Sequence, residues 1–198
     1  MDMSRFLNFH TINEKEEIEQ VYVPAAQVLE AMYNRKQGRV NVLEIGVGCG
    51  YGAALLLKGR MINKYTGIDL SDEAIREASK ILPLSMNVQL VKQDSSKKFK
   101  IDFNPDLVLF IETIEHMTPK QALKTLKNIY KVISKEGVVY LTTPEKHLDQ
   151  TFPNDIHYIE YTLDELIKLV HKSGFKINSH TTLVRKNGTI INVLLLQR

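Results

Sequence analysis

The chain has 198 residues, of which 43% are hydrophobic and 25% are charged, and its formal net charge is +3. This length suits one α/β domain, and the composition is typical of a soluble globular protein. The charge is too small to indicate nucleic-acid binding by itself. No apolar run approaches the ~20 residues of a membrane-spanning helix, and no signal peptide is evident. The single cysteine, Cys49, excludes an internal disulfide and suits a reducing compartment, so we expect a cytoplasmic protein.

Residues 1–38 are predicted to form a helical cap in front of the main fold. Within them, residues 1–11 lack a periodic pattern and are predicted to be an irregular arm. Pro24 either begins a second helix or kinks the first, since proline is favoured at a helix start and disrupts a helix interior. We expect Tyr22 and Tyr33 to pack in the core rather than to line a pocket.

The central feature of the sequence is a glycine-rich turn between a strand and a helix. The apolar run from Val40 to Ile45 predicts the strand, and apolar residues from Ala53 to about Lys58 predict the helix. Strand, turn and helix together are the first half of a nucleotide-binding βαβ unit. Gly46 permits the tight turn, and Gly48 lets a ligand lie against bare backbone.

Two acidic residues make this turn more informative than its glycines alone. Glu44 lies on the strand just before the turn, where an acid needs a partner. The next strand ends at Asp69, about 20 positions after Gly48, where a ribose-binding carboxylate is expected. The turn departs from the G-x-x-G step of dinucleotide oxidoreductases, since Tyr51 stands where the last glycine belongs.

The remaining elements alternate between helices and strands and predict an α/β fold with a mostly parallel sheet. Asn187-Gly188 predicts a hairpin turn, so the last two strands should be antiparallel. Residues 1–198 then form a single domain, with 39–198 as its core. The predicted helices cover Asp72–Ile81, Pro119–Ile133 and Thr162–Ser173, and the predicted strands cover Val88–Val91, Leu107–Ile111, Val138–Thr142, Lys176–Val184 and Thr189–Leu196.

The motifs L-E-I-G-x-G-x-G (from Leu43) and G-I-D-L-S (from Gly67) resemble the first two cofactor motifs of the Rossmann-like S-adenosylmethionine-dependent methyltransferases. The resemblance covers roughly Val40 to Phe175. It implies a three-layer fold with a seven-stranded sheet, and S-adenosylmethionine as the cofactor. In this family the acid after the third strand contacts the adenine amino group. The resemblance therefore implies a cofactor site made of Glu44, Gly46, Gly48, Gly50, Asp69, Leu70, Asp94, Ser95 and Glu112.

The end of the fourth strand carries candidate catalytic residues. Ligands of open α/β sheets bind beyond the carboxyl ends of the strands, and Glu112 to His116 follow the apolar run from Leu107 to Ile111. Methyl transfer to an oxygen requires that the acceptor lose a proton. His116 is the natural base, because the unperturbed pKa of histidine lies near neutrality. Glu115 is predicted to orient His116 or to raise its pKa.

A second interpretation of the same residues is a metal site. Glu112, Glu115, His116 and His157 offer two carboxylates and two imidazoles, a set that suits Mg²⁺ or Mn²⁺. E-x-x-E-H followed by H-x-x-E-[WY]-T resembles the metal-dependent methyltransferases that modify the 2′-hydroxyl at the 3′ end of small RNAs. The resemblance implies a metal site made of these four residues, because each ligand position of that family has a matching residue here.

Other motifs resemble methyltransferases found with polysaccharide and O-antigen assembly. These are F-x-E-T-I-E-H from Phe110, T-T-P from Thr142, and N-x-x-H-x-x-E-x-T from Asn154. The sequence has no concentrated basic patch for RNA, so we expect a glycan or small-molecule acceptor, with RNA as the alternative. A non-catalytic, cofactor-binding partner subunit is a third hypothesis, against which the cluster from Glu112 to His116 argues. The sequence does not indicate an oligomeric state.

Overall fold

The computed structural model of the chain describes residues 12–99, 101–146 and 157–198. The arm predicted over residues 1–11 lies outside these ranges, as do residues 147–156 between the predicted strand Val138–Thr142 and the predicted helix Thr162–Ser173. The helices are α1 Ile12–Lys36, α2 Tyr51–Lys58, α3 Asp72–Ile81, α4 Pro119–Val132 and α5 Leu163–Ser173, with a 3-10 turn at Ile114–His116. The strands are β1 Val40–Ile45, β2 Ile62–Asp69, β3 Val88–Lys92, β4 Leu107–Ile111, β5 Val138–Pro144, β6 Lys176–Val184 and β7 Ile190–Gln197.

The strands form one seven-stranded sheet in the order β3-β2-β1-β4-β5-β7-β6. Strands β1 to β5 are parallel, and β7 pairs antiparallel with both β5 and β6. This confirms the predicted mostly parallel sheet with its C-terminal antiparallel hairpin. The chain builds outward from β1 on one side and from β4 on the other, so the strand order reverses between them. A ligand crevice is therefore expected at the carboxyl ends of β1 and β4.

Helices cover both faces of the sheet, which confirms the predicted three layers. Helices α1, α2 and α3 pack on one face, where Leu29 and Leu56 meet Val42 and Leu109 in the core. Helices α4 and α5 cover the other face and bury side chains such as Leu126. No helix in the described ranges has the length and apolarity to cross a bilayer.

Helix α1 decides one of the two alternatives predicted for Pro24. The proline does not begin a second helix, because α1 runs continuously through it. A proline in a helix interior costs about 3 kcal/mol or more. Val21, Ala25 and Leu29 are buried around it, and burying one large aliphatic side chain contributes about 1.5–3 kcal/mol. Packing on the sheet therefore offsets the lost backbone hydrogen bond.

Smaller differences lie at the ends of two elements. Strand β2 begins at Ile62, five residues before the G-I-D-L-S motif that marks its end in the sequence, because Ile62 pairs with Val40 at the start of β1. Helix α2 begins at Tyr51, two residues before the apolar run that predicted it. Both changes extend an element toward its neighbour and leave the predicted topology intact.

Candidate active site

The glycine-rich turn after β1 adopts a backbone that other residues rarely adopt. Gly46, Gly48 and Gly50 have φ angles of 78°, 54° and 82°. A Cβ at Gly46 would lie 2.2 Å from the hydroxyl oxygen of Thr113, so the turn packs tightly against the chain that follows β4. A Cβ at Gly48 would meet no atom of the described residues within 4 Å. The tip of the turn is therefore bare backbone that faces open space, as a ligand-binding turn requires.

Glu44, the acid before the turn, is completely buried. One carboxylate oxygen accepts a short hydrogen bond from the Tyr22 hydroxyl, and the other accepts one from the Tyr65 hydroxyl. Burial raises the pKa of Glu44 to about 7, although both phenols act to lower it. Burial also raises the pKa values of both tyrosines well above their usual value, so they remain hydrogen-bond donors.

Asp69 lies beside the same turn, at the end of β2. One of its carboxylate oxygens accepts the backbone N–H of Gly48 at 3.0 Å, and the other accepts the N–H of Ser71 at 2.9 Å. The carboxylate is thus fixed between the glycine turn and the start of α3. Each oxygen keeps a further acceptor position. Leu70 follows with 67% of its surface exposed, next to this carboxylate.

Asp94 and Ser95 follow β3 and face different surroundings. Burial acts to raise the pKa of Asp94, but hydrogen bonds from Ser96 outweigh it and the pKa is lowered. Asp94 is therefore a carboxylate acceptor. The Ser95 hydroxyl is buried and lies 3.1 Å from that of Thr125 on α4. Its side chain is directed into the domain.

Glu112 is held rigidly just after β4. Its φ is 45°, an uncommon value for a non-glycine residue. Its carboxylate accepts the Thr142 hydroxyl at 2.9 Å and pairs with the Arg185 guanidinium at 3.0 Å. Arg185 carries no motif that would mark it in the sequence as a site residue. Its only indication there is its position beside the predicted turn of the hairpin that pairs with β5.

Glu115 is the second buried acid of the site, with 1% exposure. Its carboxylate accepts the Thr143 hydroxyl at 3.0 Å, and its backbone carbonyl accepts the N–H groups of Tyr158 and Ile159. Burial, reinforced by the negative charge of Glu112, raises the pKa of Glu115 well above its usual value. The backbone contacts also bring the segment that begins at residue 157 against the end of β4.

His116 and His157 meet beside Glu115. Their ring centroids are 5.1 Å apart in an edge-to-face arrangement, and Nδ1 of His157 lies 2.8 Å from the Glu160 carboxylate. One ligand atom each from Glu115, His116 and His157 lies within 4.8 Å of the others. The structure thus brings together three of the four predicted metal ligands, whereas the Glu112 carboxylate faces Arg185 and Thr142.

This donor set fits a divalent cation. Two imidazoles and one carboxylate suit Mn²⁺ better than Mg²⁺, which prefers oxygen ligands. Ligand atoms opposite each other across such an ion are about 4.2 Å apart when each bond is ~2.1 Å. The observed separation of up to 4.8 Å therefore needs only a small inward movement of the side chains.

The site has two sides that flank the crevice between β1 and β4. The glycine turn, Glu44 and Asp69 form one side, which has the bare backbone and fixed carboxylates that a nucleoside requires. Glu115 and the two imidazoles form the other side, which can accept a proton or hold a cation. Such an arrangement can keep one ligand in place while a neighbouring group reacts.

Comparisons with known proteins agree with this geometry. A family model described as a methyltransferase domain matches residues 16–180. This match covers more than half of the chain, so the chain belongs to the methyltransferase domain family. No curated protein sequence matches the chain significantly.

Several solved structures share the fold. The methyltransferase domain of the bacterial protein CtHen1-C is 20% identical, with a TM-score of 0.72, over 91% of this chain and 98% of that chain. The Burkholderia thailandensis 1,6-didemethyltoxoflavin-N1-methyltransferase, crystallised with its substrate and S-adenosylhomocysteine, is 20% identical with a TM-score of 0.70, over 91% of this chain and 79% of that one. The [4+2]-cyclase SpnF is 15% identical with a TM-score of 0.70, over 88% and 80%. Fold and family together identify the chain as a class I, Rossmann-like, S-adenosylmethionine-dependent methyltransferase.

Proposed function

We propose that the protein transfers a methyl group from S-adenosylmethionine to a hydroxyl group of a glycan or small molecule. One observation carries the proposal. An open glycine turn beside a buried carboxylate follows β1, and the segment after β4, whose Thr113 packs against this turn, leads into His116 and its neighbour His157. The turn suits the cofactor, and an imidazole beside it suits removal of the acceptor's proton.

The cofactor supplies an activated methyl group on a positively charged sulfur. Asp69 accepts hydrogen bonds from the ribose hydroxyls. The backbone N–H groups of Gly48 and Ser71 hold its carboxylate in place for this contact. Asp94 accepts the adenine amino group, consistent with its lowered pKa. The remaining contacts come from the backbone of the turn and of Ser95, whose side chain is directed into the domain, and from residues near the turn: Glu44, Gly46, Gly48, Gly50, Leu70 and Glu112.

On the acceptor side, His116 takes the proton from the hydroxyl group. Glu115 is its partner, since a ligand atom of its buried carboxyl lies within 4.8 Å of one on His116. Burial raises the pKa of Glu115 well above its usual value, and the positive charge of an imidazolium on His116 acts in the opposite direction. In its ionised form Glu115 stabilises the charge that His116 gains. Positioning of the two reactants supplies much of the remaining rate.

A second candidate function is metal-dependent methylation of the 2′-hydroxyl at an RNA 3′ end. The observation that favours it is the cluster of Glu115, His116 and His157. In that function these three residues would hold Mn²⁺ or Mg²⁺, which would supply Lewis-acid chemistry that lowers the pKa of a hydroxyl group in place of a base. Glu112, whose carboxylate pairs with Arg185, is not among the three.

A transfer assay separates these functions. The purified protein is incubated with S-adenosylmethionine labelled on its methyl group and with free sugars, glycans, alcohols or RNA, with and without EDTA. An RNA whose terminal 2′-hydroxyl is already methylated is the matched control. Metal-independent labelling of a sugar or small-molecule hydroxyl supports the proposal. EDTA-sensitive labelling of unmodified RNA alone, restored by Mn²⁺, replaces it with the second function. Cofactor binding without any transfer would indicate a non-catalytic partner subunit.

A further inference from the structure

We propose that Tyr22 is a positioning residue of the cofactor site, through which helix α1 holds Glu44 and the glycine turn in their binding arrangement. The inference rests on the proposed cofactor site. It assigns the N-terminal helix a part in cofactor binding, whereas the sequence analysis treats it as a cap and Tyr22 as a core residue.

The first observation is the contact between Tyr22 and α2. A Cβ added to Gly52 would lie 2.0 Å from Cζ of Tyr22 and 2.3 Å from both Cε atoms. The hydroxyl end of the ring therefore rests directly on the bare Cα of Gly52, in the first turn of the helix that follows the glycine turn. A residue with any side chain at this position would displace the ring.

The second observation is the hydrogen bond from the same ring to Glu44. The Tyr22 hydroxyl donates to one carboxylate oxygen, and Tyr65 on β2 donates to the other. A single side chain of α1 thus touches both the strand before the turn and the helix after it. These two contacts fix the ends of the turn relative to each other.

The third observation is how α1 itself is anchored. The Tyr140 hydroxyl on β5 donates to the backbone carbonyl of Val21 at 2.9 Å, and this bond is buried. Val21 precedes Tyr22, so the bond holds the helix next to the ring. This hydrogen bond from β5 therefore fixes the position of Tyr22. Any movement of α1 would also move the hydroxyl group that donates to Glu44.

The hydrogen bond from Tyr22 to Glu44 can be detected through the pKa of Glu44, which depends on the charged and titratable groups around it. Tyr22 and Tyr65 lower its pKa, burial raises it, and Asp69 at the end of β2 raises it further. Glu112 after β4 and Tyr140 on β5 act on Tyr22. Loss of the Tyr22 hydroxyl must therefore raise the pKa of Glu44. Since the cofactor carries a positive amino group, its affinity should follow the ionisation of Glu44.

The test is calorimetric titration with S-adenosylhomocysteine between pH 5.5 and 8.5. In the unaltered protein the affinity is expected to rise with pH, with a midpoint near 7. In Tyr22→Phe the midpoint should move upward by roughly one to two pH units, since a hydrogen bond to a charged group contributes about 1.5–3 kcal/mol. Tyr33→Phe, on the more exposed side of α1, is the matched control and should leave the midpoint unchanged.

Gly52→Ala tests the same contact from the other side. Gly52 lies within α2 and has no positive φ, so alanine fits its backbone. The added methyl group should displace the ring and reproduce the shift of Tyr22→Phe. In a Tyr22→Ala background the space is open, and Gly52→Ala should cause no further shift, because the two changes remove one interaction. Equal, additive effects of Gly52→Ala in both backgrounds would overturn the inference.

The outcomes also separate this inference from the proposed function. A protein that binds no S-adenosylhomocysteine at any pH would contradict the proposed cofactor site itself. A protein that binds it, with the same midpoint in Tyr22→Phe, would contradict only the role of Tyr22. If Tyr22→Phe does not fold, Glu44→Gln replaces it, and a pH dependence that survives in Glu44→Gln would overturn the inference.

Discussion

The two buried acids of the site, Glu44 and Glu115, differ in the groups that face them. Glu44 lies near the end of β1, and Glu115 follows the adjacent strand β4. Each is at most 1% exposed. Glu44 has two phenol donors, and its pKa is raised to about 7. Glu115 has one threonine hydroxyl and two neighbouring imidazoles, and burial together with the charge of Glu112 raises its pKa well above the usual value. Burial is common to both, so the neighbouring groups determine whether an acid responds to a ligand or takes part in proton transfer.

The largest expected effect is on the acceptor side. His116→Ala removes the proposed base and should reduce turnover by about 10²–10⁴-fold, whereas affinity for S-adenosylhomocysteine should change little. Turnover is measured with the acceptor found in the transfer assay, and affinity by calorimetry.

His171→Ala, an exposed histidine in the last turn of α5, is the control and should leave both quantities unchanged. Full activity in His116→Ala would leave the proposed base without support. A loss of cofactor affinity equal to the loss of turnover would mean that the two sides of the site are not separate.

The next effect is on stability and concerns the donor side. The folded-state pKa of Glu44 is raised from 4.5 to about 7. Between pH 4.5 and pH 7, the folded state therefore holds a proton that the unfolded state has lost. The free energy of unfolding should therefore fall as pH rises from about 4.5 to 7, by about 3 kcal/mol from this group alone. Glu44→Gln removes this contribution and should flatten the profile, as measured by urea unfolding at pH 5 and pH 8.

Glu30→Gln, an exposed change on α1, controls for the loss of one charge. Glu115 gives a slope of the same sign, since its pKa is also raised, so some pH dependence should remain in Glu44→Gln. An unchanged profile in that variant would mean that Glu44 ionises in the folded state as it does in the unfolded one.

The donor side was predictable from the sequence because its parts are local. The glycine turn follows Glu44 directly, and Asp69 ends the very next strand. Their spacing is therefore set by one βαβ unit, whose geometry is general. Of the two tyrosines expected in the core, Tyr22 is buried there, whereas Tyr33 is 37% exposed. The hydrogen bond from Tyr22 to Glu44 depends on how α1 crosses the sheet, which the helical pattern does not specify.

The acceptor side depends more on tertiary packing. The backbone N–H groups of Tyr158 and Ile159 bind the carbonyl of Glu115, and this contact brings His157 next to His116. The motif resemblance predicted that the two imidazoles belong together, yet it also predicted Glu112 in the same ligand set. Arg185 instead pairs with Glu112, because the β6–β7 hairpin folds back along β5.

The smallest predicted effect tests whether the donor side acts through a fixed carboxylate. Asp69→Ala should weaken binding of S-adenosylhomocysteine by about 1–3 kcal/mol, because a charged acceptor for the ribose hydroxyls is lost. The same change removes the acceptor of the Gly48 amide, so Asp69→Asn, which keeps an oxygen acceptor, should retain more of the affinity. Asp102→Ala, an exposed ion-paired acid, should have no effect. Turnover at saturating cofactor should stay near normal in Asp69→Ala, since the acceptor side is intact. Unchanged affinity would remove the ribose assignment and leave Glu44, Asp94 and Glu112 as the acids assigned to the cofactor.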